Sequence, residues 1–227
     1  MPRTPREREA ALAALGFDEI GRSTQGRPIV ARRFGRAGAP LLVMGGIHGD
    51  EPASVDALLD LLVRLPASTV PVPFWLVPAA NPDGLRAGRK NSARDVDLNR
   101  NFPARSFRTA HAPGYFPGPA PLSEPETRAV AELIAREPPR GALAVHAPFA
   151  CVNYDGPAAE WAQAVAQACG WPARGDIGYP TPGSFGSWLG LDQGLPVLTL
   201  ELPPGPLDGF RAAAAAALDA ALAAPPA

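Results

Sequence analysis

The chain has three histidines and two cysteines among 227 residues. Cys151 and Cys169 cannot form a disulfide framework in a protein this long, and they read as small buried hydrophobes. No run of about 18 apolar residues is present, so no membrane-spanning helix is expected. The first stretch, MPRTPREREAALAALG, carries charge, and its apolar run is too short and too broken for a signal peptide. The net charge is only −1, which argues against a general nucleic-acid binder. These absences point to a cytoplasmic protein with neither a membrane nor a nucleic acid as partner.

What is present is a chain that is 46% hydrophobic. It is long enough for one substantial α/β domain over residues 1–227 and too short for two comfortable ones. Its charge is uneven. Between Arg86 and Arg108 seven Lys/Arg accompany two Asp/Glu, a local balance of +5, which leaves −6 for the remainder. A basic segment inside an acidic protein suggests a localised site for an anionic ligand.

Residues 7–15 read as a short helix ended by Gly16. PIVARRF (28–34), PLLVMGG (40–46), VPFWLVPA (72–79), GALAVHAP (141–148) and LPVLTLELP (195–203) read as strands. Helical spacing marks residues 52–65, with Pro52 suited to a first turn, and residues 157–170. Ser123 and Glu126 have the spacing of a capping box opening a helix over 123–137. The Ala-rich stretch 210–227 reads as a terminal helix. The segment 81–122, rich in Pro, Gly, Asn and Arg, is too long for an idle loop inside a compact domain. Alternating strands and helices predict a layered α/β fold with helices on both faces of a largely parallel sheet.

In such sheets ligands bind beyond the carboxyl ends of the strands. His48, His146 and Glu201 all stand at or just past a strand's carboxyl end, and Glu51 follows His48 by three residues. A His and a Glu at that spacing on a strand-to-helix turn can point at one metal ion, with His146 as the third ligand. The same spacing also fits a histidine capping the next helix and an acid favoured by the helix dipole. Spacing alone leaves both readings open.

Four further motifs bear on the choice. They are NPDG (81–84), RKN from Arg89, DVDLNRNF (95–102) and TLEL around Glu201. With GGIHGDEPAS (45–54) and in this order, they resemble the zinc metallocarboxypeptidases over about residues 40–203. Within that family GGIHGDEPAS, VDLNRNFP, SEPET, HAPFACVNYDGP and IGYPTPGSFGSW are similar to the murein peptide amidase group, which cuts the γ-D-glutamyl–meso-diaminopimelate amide of murein peptides in peptidoglycan recycling.

The resemblance implies a carboxypeptidase-like three-layer fold and one Zn2+ held by His48, Glu51 and His146. It makes Glu201 the general base and acid. Arg89 matches the arginine that stabilises the oxyanion. Asn99 and Arg100 match the pair that grips the substrate's terminal carboxylate, which a guanidinium does with two parallel hydrogen bonds. Tyr179 matches a closing-loop tyrosine, and reads equally well as a packed aromatic.

Asp50 and Asp97 are candidate acceptors behind the ligands. His111 reads as a solvated loop histidine, and Phe185 and Trp188 as pocket lining or core. The implied partner is a small anionic peptide. The far carboxylate of diaminopimelate calls for a buried cation in the pocket. Two other functions compete: a carboxypeptidase or N-acyl amino acid amidohydrolase of different specificity, and a non-catalytic binder of peptidoglycan peptides. The retained Glu201 and three ligands count against the binder.

Overall fold

Period-two alternation and short apolar runs build a single eight-stranded sheet in a computed structural model that describes residues 3–35, 38–65, 70 and 72–225. In chain order the elements are α1 (Pro5–Ala14), β1 (Asp18–Arg22), β2 (Pro28–Phe34), β3 (Leu41–Gly45), α2 (Pro52–Arg64), β4 (Phe74–Val77) and α3 (Pro82–Ala87). Then come α4 (Pro125–Arg136), β5 (Gly141–His146), β6 (Cys151–Asp155), α5 (Ala159–Cys169), β7 (Ala173–Arg174), β8 (Val197–Glu201) and α6 (Arg211–Ala223). The last two residues of the stretch read as a terminal helix, 226 and 227, lie outside the described residues.

The strands lie in the order β1-β2-β4-β3-β5-β8-β6-β7. The central strands β4, β3, β5 and β8 are parallel to one another, as is the β6–β7 pair. β1–β2, β2–β4 and β6–β8 are antiparallel. The sheet is mixed and mostly parallel, with helices on both faces, as expected from sequence.

One face is packed by α2, α5 and α6. Leu41, Val43, Leu143, Val145, Val152, Leu198 and Leu200 meet Leu58, Leu61, Trp161, Val165, Ala217 and Leu218 there. Complete burial of each leucine contributes roughly 1.5–3 kcal/mol. The opposite face carries Leu42, Met44, Ala142, Ala144 and Val197 under α4 and under Phe185 and Leu189. Small residues on this second face leave room above the carboxyl ends of β5 and β8.

Three details differ from the sequence reading. Strands β1, β6 and β7 and helix α3 were not marked in it, because each is short and carries polar residues at alternate or capping positions. The capping box expected at Ser123 is absent: α4 starts at Pro125 after Glu124, with no side-chain cap. Instead Glu126 accepts the Thr24 amide at 2.9 Å, and buried Glu124 accepts the Ser92 hydroxyl at 3.1 Å. A capping box does form at Thr4 and Glu7, where it opens α1. Tertiary partners for Glu126 outcompeted the local motif.

Candidate active site

His48 and Glu51 lie on the turn between β3 and α2. That turn is fixed from behind by α3, whose N-cap Asn81 accepts from the Gly84 amide at 2.8 Å. The same side chain donates to the Ile47 and Lys90 carbonyls at 3.2 and 3.1 Å. Gly49 packs against the Gly84 backbone so closely that a Cβ at this position would collide with it. The NPDG motif thus seats the turn. His48 does not cap α2, whose N-cap is Glu51 with no side-chain bond.

His146 and Glu201 end β5 and β8 and are directly paired across them. The loop after β3 brings Glu51 to the same place. His48 Nδ1 lies 2.8 Å from Glu51 Oε1, and His146 Nδ1 lies 3.1 Å from Glu51 Oε2. The ligand atoms of His48, Glu51 and His146 are all within 4.8 Å of one another. Both rings are buried. The other nitrogen of His48, Nε2, is 3.1 Å from Asp97 Oδ1, which leaves Nδ1 turned inward.

Burial by itself would lower His48, but hydrogen bonds to Asp97 and Glu51 outweigh it and raise the ring to about 9. Burial would likewise raise Glu51, and the two histidines pull it down to about 2. Two imidazoles concentrated on one half-buried carboxylate form a cluster that a divalent cation would satisfy.

The cluster opens into a pocket of about 220 Å³ that also receives Lys90, Asn99, Arg100, Tyr115, Asn153, Asp155, Tyr179 and Glu201. Glu201 is 5% exposed, and its Oε2 has no hydrogen-bond partner among the described residues. Desolvation raises its carboxyl, against the attraction of His146. A buried carboxylate oxygen with no partner, beside a cluster that could hold a metal ion, is suited to taking a proton from a reacting group.

Arg100 is buried and faces the rings of Tyr115 and Tyr179 at 5.4 and 5.9 Å. Asn99 Oδ1 accepts the Phe185 amide at 3.0 Å, which ties the LNR turn to the opposite wall.

Arg89 is not in this company: it is exposed and does not line the pocket. The reason is local. Helix α3 ends at Gly88 in the left-handed conformation (φ 63°), and the Arg89 amide closes back on the Gly84 carbonyl at 3.0 Å. The next carbonyl, that of Lys90, accepts the Gly49 amide at 3.1 Å. Held to the ligand turn in this way, Lys90 sends its side chain inward. Its Nζ forms an ion pair with Asp97 Oδ2 at 2.9 Å and lies 3.6 Å above the Tyr115 ring centroid.

The zinc carboxypeptidase family model matches residues 14–160. That is more than half of the chain. The chain belongs to the zinc carboxypeptidase family. A murein peptide amidase A from Escherichia coli strain K12 is 36% identical over 204 residues, covering 83% of this chain and 82% of that one. The crystal structure of a murein-tripeptide amidase from Escherichia coli O157 matches with a TM-score of 0.81 at 34% identity, over 100% of this chain and 98% of that one. Thrombin-activatable fibrinolysis inhibitor shares the fold, with a TM-score of 0.76 at 17% identity.

As a zinc carboxypeptidase-family chain it is a metallohydrolase, and His48, Glu51 and His146 form a donor set of the His2Glu type that zinc accepts. The structure also adds residues that were not singled out from sequence. Asp97 was one of two candidate acceptors, and it is the one bonded to His48. Asn153, Asp155 and Thr199 line the pocket from β6 and β8. The alternation in VLTLE was a signal for Thr199, whereas CVNYD reads as a strand only beside the sheet it joins. His111 is exposed and bonds the Thr109 carbonyl at 2.7 Å. Phe185 lines the pocket, while Trp188 stacks on Phe102 at 5.5 Å behind it. Cys151 and Cys169 are free.

Proposed function

We propose that the chain hydrolyses the γ-D-glutamyl–meso-diaminopimelate amide of free murein peptides, as a cytoplasmic step of peptidoglycan recycling. The observation that carries the substrate is likeness to the murein peptide amidases over 83–100% of the chain, at 34–36% identity. Two free cysteines fit a reducing compartment. None of the described helices is long and apolar enough to cross a membrane.

On this reading His48, Glu51 and His146 hold one zinc ion. Zinc bound there supplies Lewis acidity to the scissile carbonyl and to an attacking water. Glu201 takes a proton from that water at Oε2 and returns it to the leaving amine. Asp97 holds the His48 ring in place through Nε2. Arg100 and Asn99 hold the carboxylate beside the cut bond, with Tyr179 at the rim. Of the adjacent pair Arg89 and Lys90, Lys90 is given the role of meeting charge developing on the carbonyl oxygen, because it lines the pocket and Arg89 does not.

The deciding experiment compares kcat/KM of the zinc-loaded enzyme on L-alanyl-γ-D-glutamyl-meso-diaminopimelate with that on ordinary α-linked carboxy-terminal dipeptides. The γ-linked substrate is expected to lead by at least about tenfold, or about 1.4 kcal/mol of transition-state discrimination. Equal rates, or a lead for the α-linked peptides, would make the chain a general carboxypeptidase instead.

A further inference from the structure

The sequence holds 21 Lys and Arg residues, and only one of them, Lys90, is a lysine. That single lysine stands in the pocket. An ammonium is a compact point charge with three donors, carried on a flexible four-carbon stem. Aiming it takes a surface that holds the charge in place. Asp97 supplies only part of this. The Lys90 ammonium lies 2.9 Å from Asp97 Oδ2, yet that oxygen has no hydrogen-bond partner among the described residues. Attraction is present without a directed bond, and the other oxygen of Asp97 is committed to His48.

The second surface against Lys90 is the ring of Tyr115, whose centroid is 3.6 Å from the ammonium. An aromatic face attracts a cation through its quadrupole and does not neutralise it. The charge therefore stays available to a ligand. Both neighbours of Tyr115 are tied back to the surroundings of Lys90. The Gly114 carbonyl accepts from Asn91 Nδ2 at 3.4 Å, and the Phe116 carbonyl accepts the Asp97 amide at 2.8 Å. Asn91 follows Lys90 in the chain, and Asp97 is its ion-pair partner. The 81–122 segment thus folds back to lay one ring on its own lysine.

Tyr115 is also a wall. With Arg100 and Tyr179 it lines a second hollow of about 550 Å³ next to the pocket. Removing the ring would join the two spaces and bring water to the ammonium, which weakens its field on a ligand. No described residue hydrogen-bonds the Tyr115 hydroxyl, so the ring alone does this. Arg100 depends on it less. Its guanidinium is 5.4 Å from the Tyr115 centroid, but it also donates to the Asn99 carbonyl at 2.7 Å and stands over Tyr179.

We propose that Tyr115 is a positioning residue for Lys90: its ring fixes the ammonium in the pocket, screens it from water and leaves its donors to the substrate. This deepens the amidase reading and rests on it only for the use of Lys90 at the cut bond.

The test uses the zinc-loaded full chain with two substrates, L-alanyl-γ-D-glutamyl-meso-diaminopimelate and the α-linked N-benzoylglycyl-meso-diaminopimelate. Tyr115→Leu should lower kcat by about 3- to 30-fold, the scale of a cation held on an aromatic face, with zinc content unchanged. KM should move by less than about threefold, because Arg100 keeps its other contacts. Tyr115→Phe keeps the ring and should stay within about twofold of wild type. In the Lys90→Met background Tyr115→Leu should cost nothing further in kcat, since one residue acts through the other. A brief pulse of acetic anhydride, read by peptide mass spectrometry, follows the single lysine without turnover. Lys90 should react faster in Tyr115→Leu than in wild type or Tyr115→Phe.

An unchanged kcat for Tyr115→Leu, a Tyr115→Phe enzyme equally slow, or a loss carried by KM would each overturn the proposal. So would a kcat loss that persists beside Lys90→Met, or equal labelling of Lys90 in all three proteins. A silent γ-linked substrate alongside an α-linked one that keeps the coupling would overturn the amidase reading while leaving Tyr115 its role.

Discussion

The same strands do two different jobs on their two faces. On the helix-packed face β5, β6 and β8 present Leu143, Val145, Val152, Leu198 and Leu200, all branched and all at most 1% exposed. The alternate positions on the other face include the pocket-lining Ala144, His146, Asn153, Asp155, Thr199 and Glu201. A shift of register by one residue would exchange the two sets, so the packing of one face also fixes the aim of the other. The large branched side chains lie at one parity, and the next carries the site together with the small core residues Ala142, Ala144 and Val197. Substitutions at adjacent positions should therefore separate the two cleanly.

The largest effects belong at the site end. His146→Ala removes one of three protein ligands and should eliminate bound zinc and activity together, as read by elemental analysis and turnover. Glu201→Gln keeps the shape of the side chain and gives up its basicity. It should retain zinc near wild type while kcat falls by at least about 10²-fold. An His146→Ala enzyme that keeps full zinc, or a Glu201→Gln enzyme that loses it, would break the assignment of ligand and base.

Next in size is the contrast between two adjacent cations. Lys90→Met removes the charge that stands 2.9 Å from Asp97 in the pocket. A single donor to a developing oxyanion accounts for roughly 10²–10³ in kcat. The fall should come with zinc retained, which separates it from a secondary effect of Asp97 on His48. Arg89→Ala should stay near wild type, since Arg89 is exposed and outside the pocket. If Arg89→Ala is the damaging change and Lys90→Met the mild one, the role returns to Arg89.

A purely structural effect is expected from Leu198→Ala, next to pocket-lining Thr199. Leu198 is 0% exposed, and truncating such a leucine costs about 2–5 kcal/mol. Thermal melting should drop accordingly, while zinc content and kcat of the folded enzyme are preserved. Loss of zinc at temperatures well below the melting transition would show that the two faces are not independent.

Much of this was legible in the sequence, and the pattern of success follows the two faces. The branched alternation of PLLVMGG and LPVLTLELP marks strands with a packing side, and their carboxyl ends located His48 and Glu201. The end of GALAVHAP located His146 in the same way, motif order supplied Asn99 and Arg100, and all three line the pocket. β6 was missed because CVNYD has one branched residue and two polar ones, a pattern that means a strand only when the sheet beside it is known. Arg89 and Lys90 are adjacent cations, and which of them points inward is decided by the left-handed turn at Gly88 and the bond from Gly49 to the Lys90 carbonyl. The capping box at Ser123 failed for the same kind of reason, because Glu126 found a distant amide on Thr24.

The smallest expected effect is also the one most particular to the site face. Burial raises the Asp155 carboxyl above its value in an unfolded chain, so the folded protein holds that proton more tightly. At neutral pH, above the raised value, the fold carries an unpaired charge and loses stability for it. Below the unfolded value, near pH 4, both states are protonated and the cost disappears. Asp155→Asn removes the charge at every pH. The variant should therefore melt above wild type at pH 7, by about 2–4 °C if the relief is about 1 kcal/mol in a chain of this size. The gap should narrow as the pH is lowered toward about 4, where wild type recovers the same stability by protonation. Leucine on the opposite face shows no such dependence, so Leu198→Ala should lie below wild type by a similar margin across that range. A variant at Asp155 that melts below wild type at pH 7 would mean that the carboxylate has a stabilising partner, and the acid would then belong to the scaffold and not to the site.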